Sequence, residues 1–217
     1  MDDVSRETSM IEAEPTAAAS LFGEQIDLAR RFTAALGAHG EERGLIGPLE
    51  PPRLWNRHIL NSAITAPLFT SGSRVADVGS GAGLPGLVLA IARPDVEWVL
   101  IEPMERRVAW LQEQVDTLGL ANVVVTRSRG EDWKDGAVFD AVTARAVSAL
   151  RTLIPLTVPL LRVEGELILL KGVNAENEIG AAAKVIQRYR LTNVRVEVVG
   201  DGVIDEPTRV LRAKRSR

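Results

Sequence analysis

The chain of 217 residues has no cysteine and only two histidines. The missing cysteine excludes disulfides, zinc ribbons, iron–sulfur clusters and a thiol nucleophile, and it speaks against an oxidising compartment. Neither histidine has an evident Ser or Asp partner, and no metal site is expected. No apolar run approaches the ~20 residues needed to span a bilayer. The opening stretch MDDVSRETSM is acidic and lacks an apolar core, so it does not read as a secretory signal. Internal repeats and low-complexity linkers are also absent. A cytoplasmic protein with no membrane partner is the expectation. What is present is ordinary for a globular chain: 46% hydrophobic and 25% charged residues, enough for one sizeable domain.

The sequence is organised around Arg74–Gly86, RVADVGSGAGLPG. Val75–Val78 suits a buried strand, the glycines a turn, and Gly86–Ala92 a helix. Strand, glycine turn, helix is the entry to a nucleotide-binding α/β domain. Gly81-x-Gly83-x-x-Gly86 matches the dinucleotide fingerprint, which makes a nicotinamide oxidoreductase a rival reading. Two acids favour another ligand. Asp77 stands ahead of the first glycine, where it would repel a pyrophosphate and suit an ammonium group. Glu102 follows Gly79 by 23 residues, where a ribose-binding acid belongs. An acid for an amino group, a bare turn and an acid for ribose hydroxyls describe S-adenosylmethionine.

The domain boundaries expected from composition are a disordered N-terminus over 1–17, a helical part over 18–70, the main domain over 71–212 and a basic tail over 213–217. Phe22, Ile26, Ala29, Phe32 and Leu36 recur at helical spacing. His39 belongs at the exposed end of that helix. A second helix starts at Pro51-Pro52, where proline suits a first turn, and runs towards Pro67. Strands are expected at 75–78, 97–101, 122–126, 139–144 and 166–170. A closing antiparallel pair is expected near 194–199 and 208–211. Helices are expected at 104–118, 150–161 (with Pro155 and Pro159 as kinks) and 175–189. Asp77, Glu102, Gly130-Glu131, Arg145 and Lys171 then fall at successive C-terminal strand ends, the edge where open α/β sheets bind ligands.

These blocks carry a resemblance. VADVGSGAGLPGLVLAIARP, LIEPMERRVAWL, RSRGEDW, TARAV and LLKG, with WNRHIL before them, resemble the bacterial 16S rRNA guanine-N7 methyltransferase G family, also called glucose-inhibited division protein B. The match runs from about Trp55 to Glu178. It implies a class I S-adenosylmethionine-dependent methyltransferase: a Rossmann-like α/β fold with a seven-stranded, mostly parallel sheet and a small N-terminal helical part. It also implies a guanine near the decoding centre as substrate, with 16S rRNA or the small ribosomal subunit as partner. A monomer is expected. Gly79, Leu84, Gly130, Glu131 and Arg145 are the implied cofactor contacts. The residue reading adds Asp77, Ser80, Gly81, Gly83 and Glu102. Two positions depart from the pattern: Gly130, where relatives more often have alanine or valine, and Asn61, where many have Asp.

Guanine N7 carries an in-plane lone pair and no proton, so its methylation needs no general base and no covalent nucleophile. It needs positioning and stabilisation of the cation that forms on the purine. The absence of cysteine and of an Asp/Asn-Pro-Pro-aromatic block fits. Arg145 is the expected positioning residue, with an ion pair to Asp140 or Glu131 as its structural alternative. Arg57, His58, Arg106, Arg107, Lys171, Arg212, Lys214 and Arg215 are candidates for RNA contact, the last three within a run of five cations after Thr208. Trp55, beside Arg57 and His58, is read as a packing residue. A methyltransferase fold that binds rRNA without turnover is the remaining rival.

Overall fold

The computed structural model describes residues 11–134, 136, 138–145 and 148–217. Ala146 and Val147 of the TARAV block, and residues 1–10 of the expected disordered N-terminus, lie outside them. Seven strands form one sheet: β1 (Arg74–Val78), β2 (Glu97–Ile101), β3 (Val123–Thr126), β4 (Phe139–Arg145), β5 (Leu161–Lys171), β6 (Leu191–Val199) and β7 (Thr208–Arg215). Their order is β3-β2-β1-β4-β5-β7-β6. The first five are parallel, and β7 runs antiparallel to both β5 and β6. The order reverses between β1 and β4, so the crevice for a ligand opens there, at the C-terminal strand ends.

Strand residues alternate between two cores, as the two-residue period demands. Val75, Trp98, Leu100, Ala141 and Ile168 face the layer formed by α1 (Ala17–Phe22), α2 (Ile26–His39), α3 (Asn61–Ala63), α4 (Gly86–Ala92) and α5 (Glu105–Leu118). Ala76, Val78, Val99, Ile101, Val142 and Leu167 face the layer of α6 (Leu150–Thr157), α7 (Ala175–Ala181) and α8 (Ala183–Arg188). The N-terminal helices therefore share the core of the main domain. Trp55 is buried in it, as its packing role requires, while His39 is exposed at the end of α2. No described helix is long and apolar enough to cross a membrane.

Several expectations need correction. Residues 11–16 are not a loose leader. The Glu12 carboxylate accepts from the Asn56 backbone N–H at 3.0 Å and its side-chain amide at 2.6 Å, and Glu14 pairs with Arg30 at 2.6 Å. Acids that read as disordered composition thus serve as partners for helix donors. The basic tail is a strand. β7 lies inside the sheet, and Arg212 bonds Glu166 and Glu197 at 2.7 and 3.2 Å. Arg215 donates to the carbonyls of Val158 and Leu161. Both are engaged inside the protein, and Lys214 alone of the three stays exposed. The helix expected over 150–161 ends at Thr157, passes through a 3-10 turn over Val158–Leu160 and leads into a longer β5. The 175–189 helix breaks at Ala182.

The segment after Pro52 contains a π-helix over Trp55–Leu60. This wide geometry is rare and occurs frequently at functional sites. Helical spacing of apolar residues gives no sign of it.

Candidate functional site

The glycine turn follows β1 and carries three positive-φ glycines: Gly79, Gly81 and Gly83. Gly81 lines a cavity of about 530 Å³, and a Cβ there would meet only Gly79 O at 3.7 Å and Arg107 Nη1 at 4.0 Å. Its bare backbone therefore leaves room for a ligand. Gly86 serves packing instead. A Cβ on it would lie 2.4 Å from both Asp77 Oδ2 and Leu100 Cδ2. Trp110 Nε1 donates to Ala82 O at 3.0 Å and fixes the turn from α5.

Glu102, at the end of β2, is almost fully buried and lines the same cavity. It accepts from Gly81 N at 2.9 Å and Met104 N at 2.9 Å. One carboxylate thereby ties the turn to the entry of α5, with lone pairs left for ribose hydroxyls. Asp77 does not meet the expectation placed on it. Its side chain is fully buried and does not line this cavity. Oδ2 accepts from Gly86 N at 3.1 Å, and Oδ1 has no partner among the described residues. Burial, reinforced by the nearby Glu102 charge, raises its pKa to about 7 despite the Gly86 hydrogen bond. An ammonium group in the cavity would meet Glu50 or Glu102 instead.

Arg145 ends β4 and reaches across to the π-helix. Nη2 donates to Arg57 O at 2.8 Å and His58 Nδ1 at 2.8 Å. Nη1 lies 3.3 Å from both His58 O and Ser62 Oγ. The suggested ion pair does not form: Asp140 instead accepts from Arg162 and from the Arg74 backbone N–H. Burial, then the Arg57 charge, lowers Arg145 to about 10, which leaves it a cation at neutral pH. The other face of His58 meets Glu50, with Nε2 2.6 Å from Oε2. A guanidinium only donates, so Nδ1 is bare and the proton sits on Nε2. Burial, then Arg145, pushes the imidazole down to about 4, against the pull of Glu50. His58 is therefore a neutral link between a cation and an anion, and it has the acidic partner that the sequence did not reveal.

Gly79, Ser80, Gly81, Leu84, Glu102 and Arg145 come together around this cavity, as expected. Gly83, Gly130 and Glu131 do not line it. Gly130 is packed under Leu156 O and Val78, and Glu131 is exposed elsewhere on the surface. Arg107, read as an RNA contact, lines the cavity, and its buried Nε has no partner among the described residues. Arg106 is exposed on the first turn of α5. Lys171 is paired with Glu178 at 2.8 Å. Sequence reasoning missed Leu45, Ile46, Gly47 and Glu50, which close the cavity from the N-terminal part. No motif marks that loop; only folding brings it over the turn.

The rRNA small subunit methyltransferase G (GidB) family model matches residues 25–206. The chain belongs to that family. It is 62% identical over 208 residues to the ribosomal RNA small subunit methyltransferase G of Clavibacter michiganensis, covering 96% of this chain and 98% of that one. To the protein of the same name from Leifsonia xyli it is 64% identical over 206 residues, covering 95% and 98%. Crystal structures confirm the class of fold: M. jannaschii TYW2 in complex with AdoMet aligns with TM-score 0.58 and 19% identity over 74% of this chain and 76% of that one. The tRNA (m1A58) methyltransferase TrmI of Aquifex aeolicus gives TM-score 0.56 and 16% identity over 72% and 68%. In this chain the glycine turn stands at the sheet's reversal point, between β1 and β4.

Proposed function

We infer that the protein methylates N7 of a guanine in small-subunit ribosomal RNA, with S-adenosylmethionine as donor, in the cytoplasm. The observation that carries this reading is the cavity itself, in a chain of the methyltransferase G family. A bare glycine turn and a buried acid at the end of β2 share it with Arg145. The residues fit the donor. Gly79 and Gly81 leave open backbone, Glu102 keeps acceptor capacity for ribose, and Glu50 and Arg107 supply both signs for a zwitterionic end. The donor contributes a methyl group on a sulfonium, ready for in-line displacement.

The chain's own part is positioning. Arg145 lines this cavity and a second one beside it, so it stands where donor and acceptor would meet. Its four acceptors hold the guanidinium plane, and the uncharged His58 leaves its positive charge in place. The loop carrying Leu45 and Ile46 adds apolar lining to the cavity beside the turn. N7 brings its own lone pair, so no side chain has to take a proton from it.

The test is transfer of label from S-adenosylmethionine to small-subunit RNA or subunits from a strain lacking the gene. The modified base is mapped by the chain cleavage that N7-methylguanosine permits. A single N7-methylguanosine is expected. Label at an exocyclic amine or a ribose, or tight donor binding with no transfer, would overturn the reading.

A further inference from the structure

The second cavity, of about 730 Å³, opens on the same sheet edge. The end of β5 and the start of β7 line it, and there Lys171 and Arg209 are register partners. Partners across strands project from one face, and like charges so placed destabilise the pair. The sheet holds another such pair, Arg195 and Arg212, facing each other across β6 and β7. That pair is neutralised: Arg212 bonds Glu166 and Glu197, and Arg195 bonds Glu197 at 2.7 Å. At Lys171 and Arg209 a single carboxylate is engaged. Glu178 is 2.8 Å from Lys171 Nζ, which also donates to Ser148 O at 3.1 Å.

Arg209 is half-buried and forms no salt bridge or side-chain hydrogen bond among the described residues. Asp205 and Glu206 line the cavity without coming within ion-pair distance of it. Its guanidinium reaches solvent in the cavity and pairs with no carboxylate among the described residues, so it is open to a counter-charge from outside the chain. The position is also built. Asn61 Nδ2 donates to Thr208 Oγ1 at 2.6 Å, and that hydroxyl donates back to Asn61 O at 3.0 Å. This reciprocal pair clips the start of β7 to the helix that carries Arg57 one turn earlier. Arg57 is exposed, 3.5 Å from Glu50, and lines the same cavity.

We propose that Arg209, with Arg57 in the same cavity, binds an RNA phosphate flanking the target guanosine, so that the base reaches Arg145 from the side opposite the donor. The ligand is a phosphodiester of the acceptor strand, and the inference rests on the methyl-transfer reading above. A phosphate contact of this kind sets register and contributes no sequence choice. Arg209 therefore acts on acceptor affinity and its salt dependence, and cofactor affinity is independent of it.

The test pairs a protein variant with a substrate variant. Small-subunit RNA is ligated with one methylphosphonate, which lacks the charge, either 5′ or 3′ of the target guanosine. It is assayed in the form, free or assembled, that the wild-type protein methylates. At one of the two linkages, wild-type kcat/KM is expected to fall about tenfold, the size of one charge-assisted hydrogen bond. Arg209→Gln is expected to lose about as much on natural RNA and to be clearly less sensitive than the wild type to the methylphosphonate, Arg57 keeping its own share of the phosphate, with cofactor Kd unchanged. Arg209→Lys, which keeps the charge and spares the fold, is expected to retain the sensitivity to methylphosphonate. Losses that multiply at both linkages, or wild-type kinetics in Arg209→Gln, would overturn the proposal. A wild-type protein that methylates natural RNA nowhere would instead overturn the underlying reading.

Discussion

His58 Nδ1 accepts from Arg145 Nη2 at 2.8 Å, and His58 Nε2 donates to Glu50 at 2.6 Å. A loop, a π-helix and a strand end are thereby joined through one uncharged ring. Arg145 needs its planar fork for this, because it serves acceptors at Arg57 O, His58 O, His58 Nδ1 and Ser62 Oγ together. Lysine keeps the charge but spans fewer of them. Arg145→Lys is expected to lose more than about tenfold in turnover, roughly 1.4 kcal/mol of transition-state stabilisation. Methyl transfer at saturating donor and RNA measures it. Wild-type turnover in Arg145→Lys would reduce the residue to a point charge.

The same ring predicts acid sensitivity. His58 binds its proton at about 4 in the folded protein against 6.5 when free. Between those values the unfolded chain holds the extra proton, so stability falls as pH drops from 6.5 to 4. Glu50 acts in the same direction. Burial alone would raise it, but hydrogen bonds from His58 and Arg53 outweigh that and hold it below its usual value. The His58 contribution is about 3 kcal/mol at most. Urea melts at pH 7 and pH 4.5 should show the loss, and His58→Asn, which keeps an acceptor for Arg145, should show less of it. An equal slope in the variant would place the acid sensitivity elsewhere.

Asp77 predicts the opposite sign. Its carboxyl is raised from 3.8 to about 7, so the folded protein holds a proton that the unfolded chain releases above 3.8. Stability contributed by this group falls as pH rises from about 4 to 7. Asp77→Asn removes the titration and should flatten that part of the pH–stability curve in the ligand-free protein. A difference curve with no slope between pH 4 and 7 would mean that Asp77 ionises normally.

Two glycines separate ligand space from packing. Gly81→Val puts a side chain into the cavity, at a φ of +54° that also strains the turn. The variant should still unfold cooperatively, but S-adenosylhomocysteine should no longer raise its melting temperature. Gly86→Ala should lower the melting temperature itself, because the new Cβ collides with Asp77 and Leu100. The reverse pattern would exchange the roles of the two positions.

The parallel half of the sheet was legible because its strands are short apolar runs separated by clear turns. The gathering of the glycine turn, Glu102 and Arg145 around one cavity was legible because all three stand at or just past C-terminal strand ends. Asp77 was misread for a local reason. Its position in sequence suits an ammonium, but its side chain turns inward to meet Gly86 N at the start of α4. Glu50 and His58 were illegible as a pair, since nothing in their types predicts that a π-helix sets one ring between a strand-end arginine and a loop carboxylate. The basic run after Thr208 reads as a tail for RNA contact because its charges mask apolar residues that pack on both faces of the sheet, Val210 on one and Leu211 and Ala213 on the other. Val210, Leu211 and Ala213 are buried, while Arg212 reaches carboxylates on β5 and β6.

The placing of β7 also constrains the order of assembly. It follows every other strand in the chain, yet it lies between β5 and β6, and β6 has no other neighbour. As the chain emerges N-terminus first, β1 to β5 can pair while the outer edge of β5 stays open and β6 waits unmatched. Arg209 and the Asn61–Thr208 clip arrive with that last strand. The nascent protein would thus complete its donor cavity before its acceptor side. A polypeptide still threaded through the ribosome that makes it would have no finished surface with which to engage another.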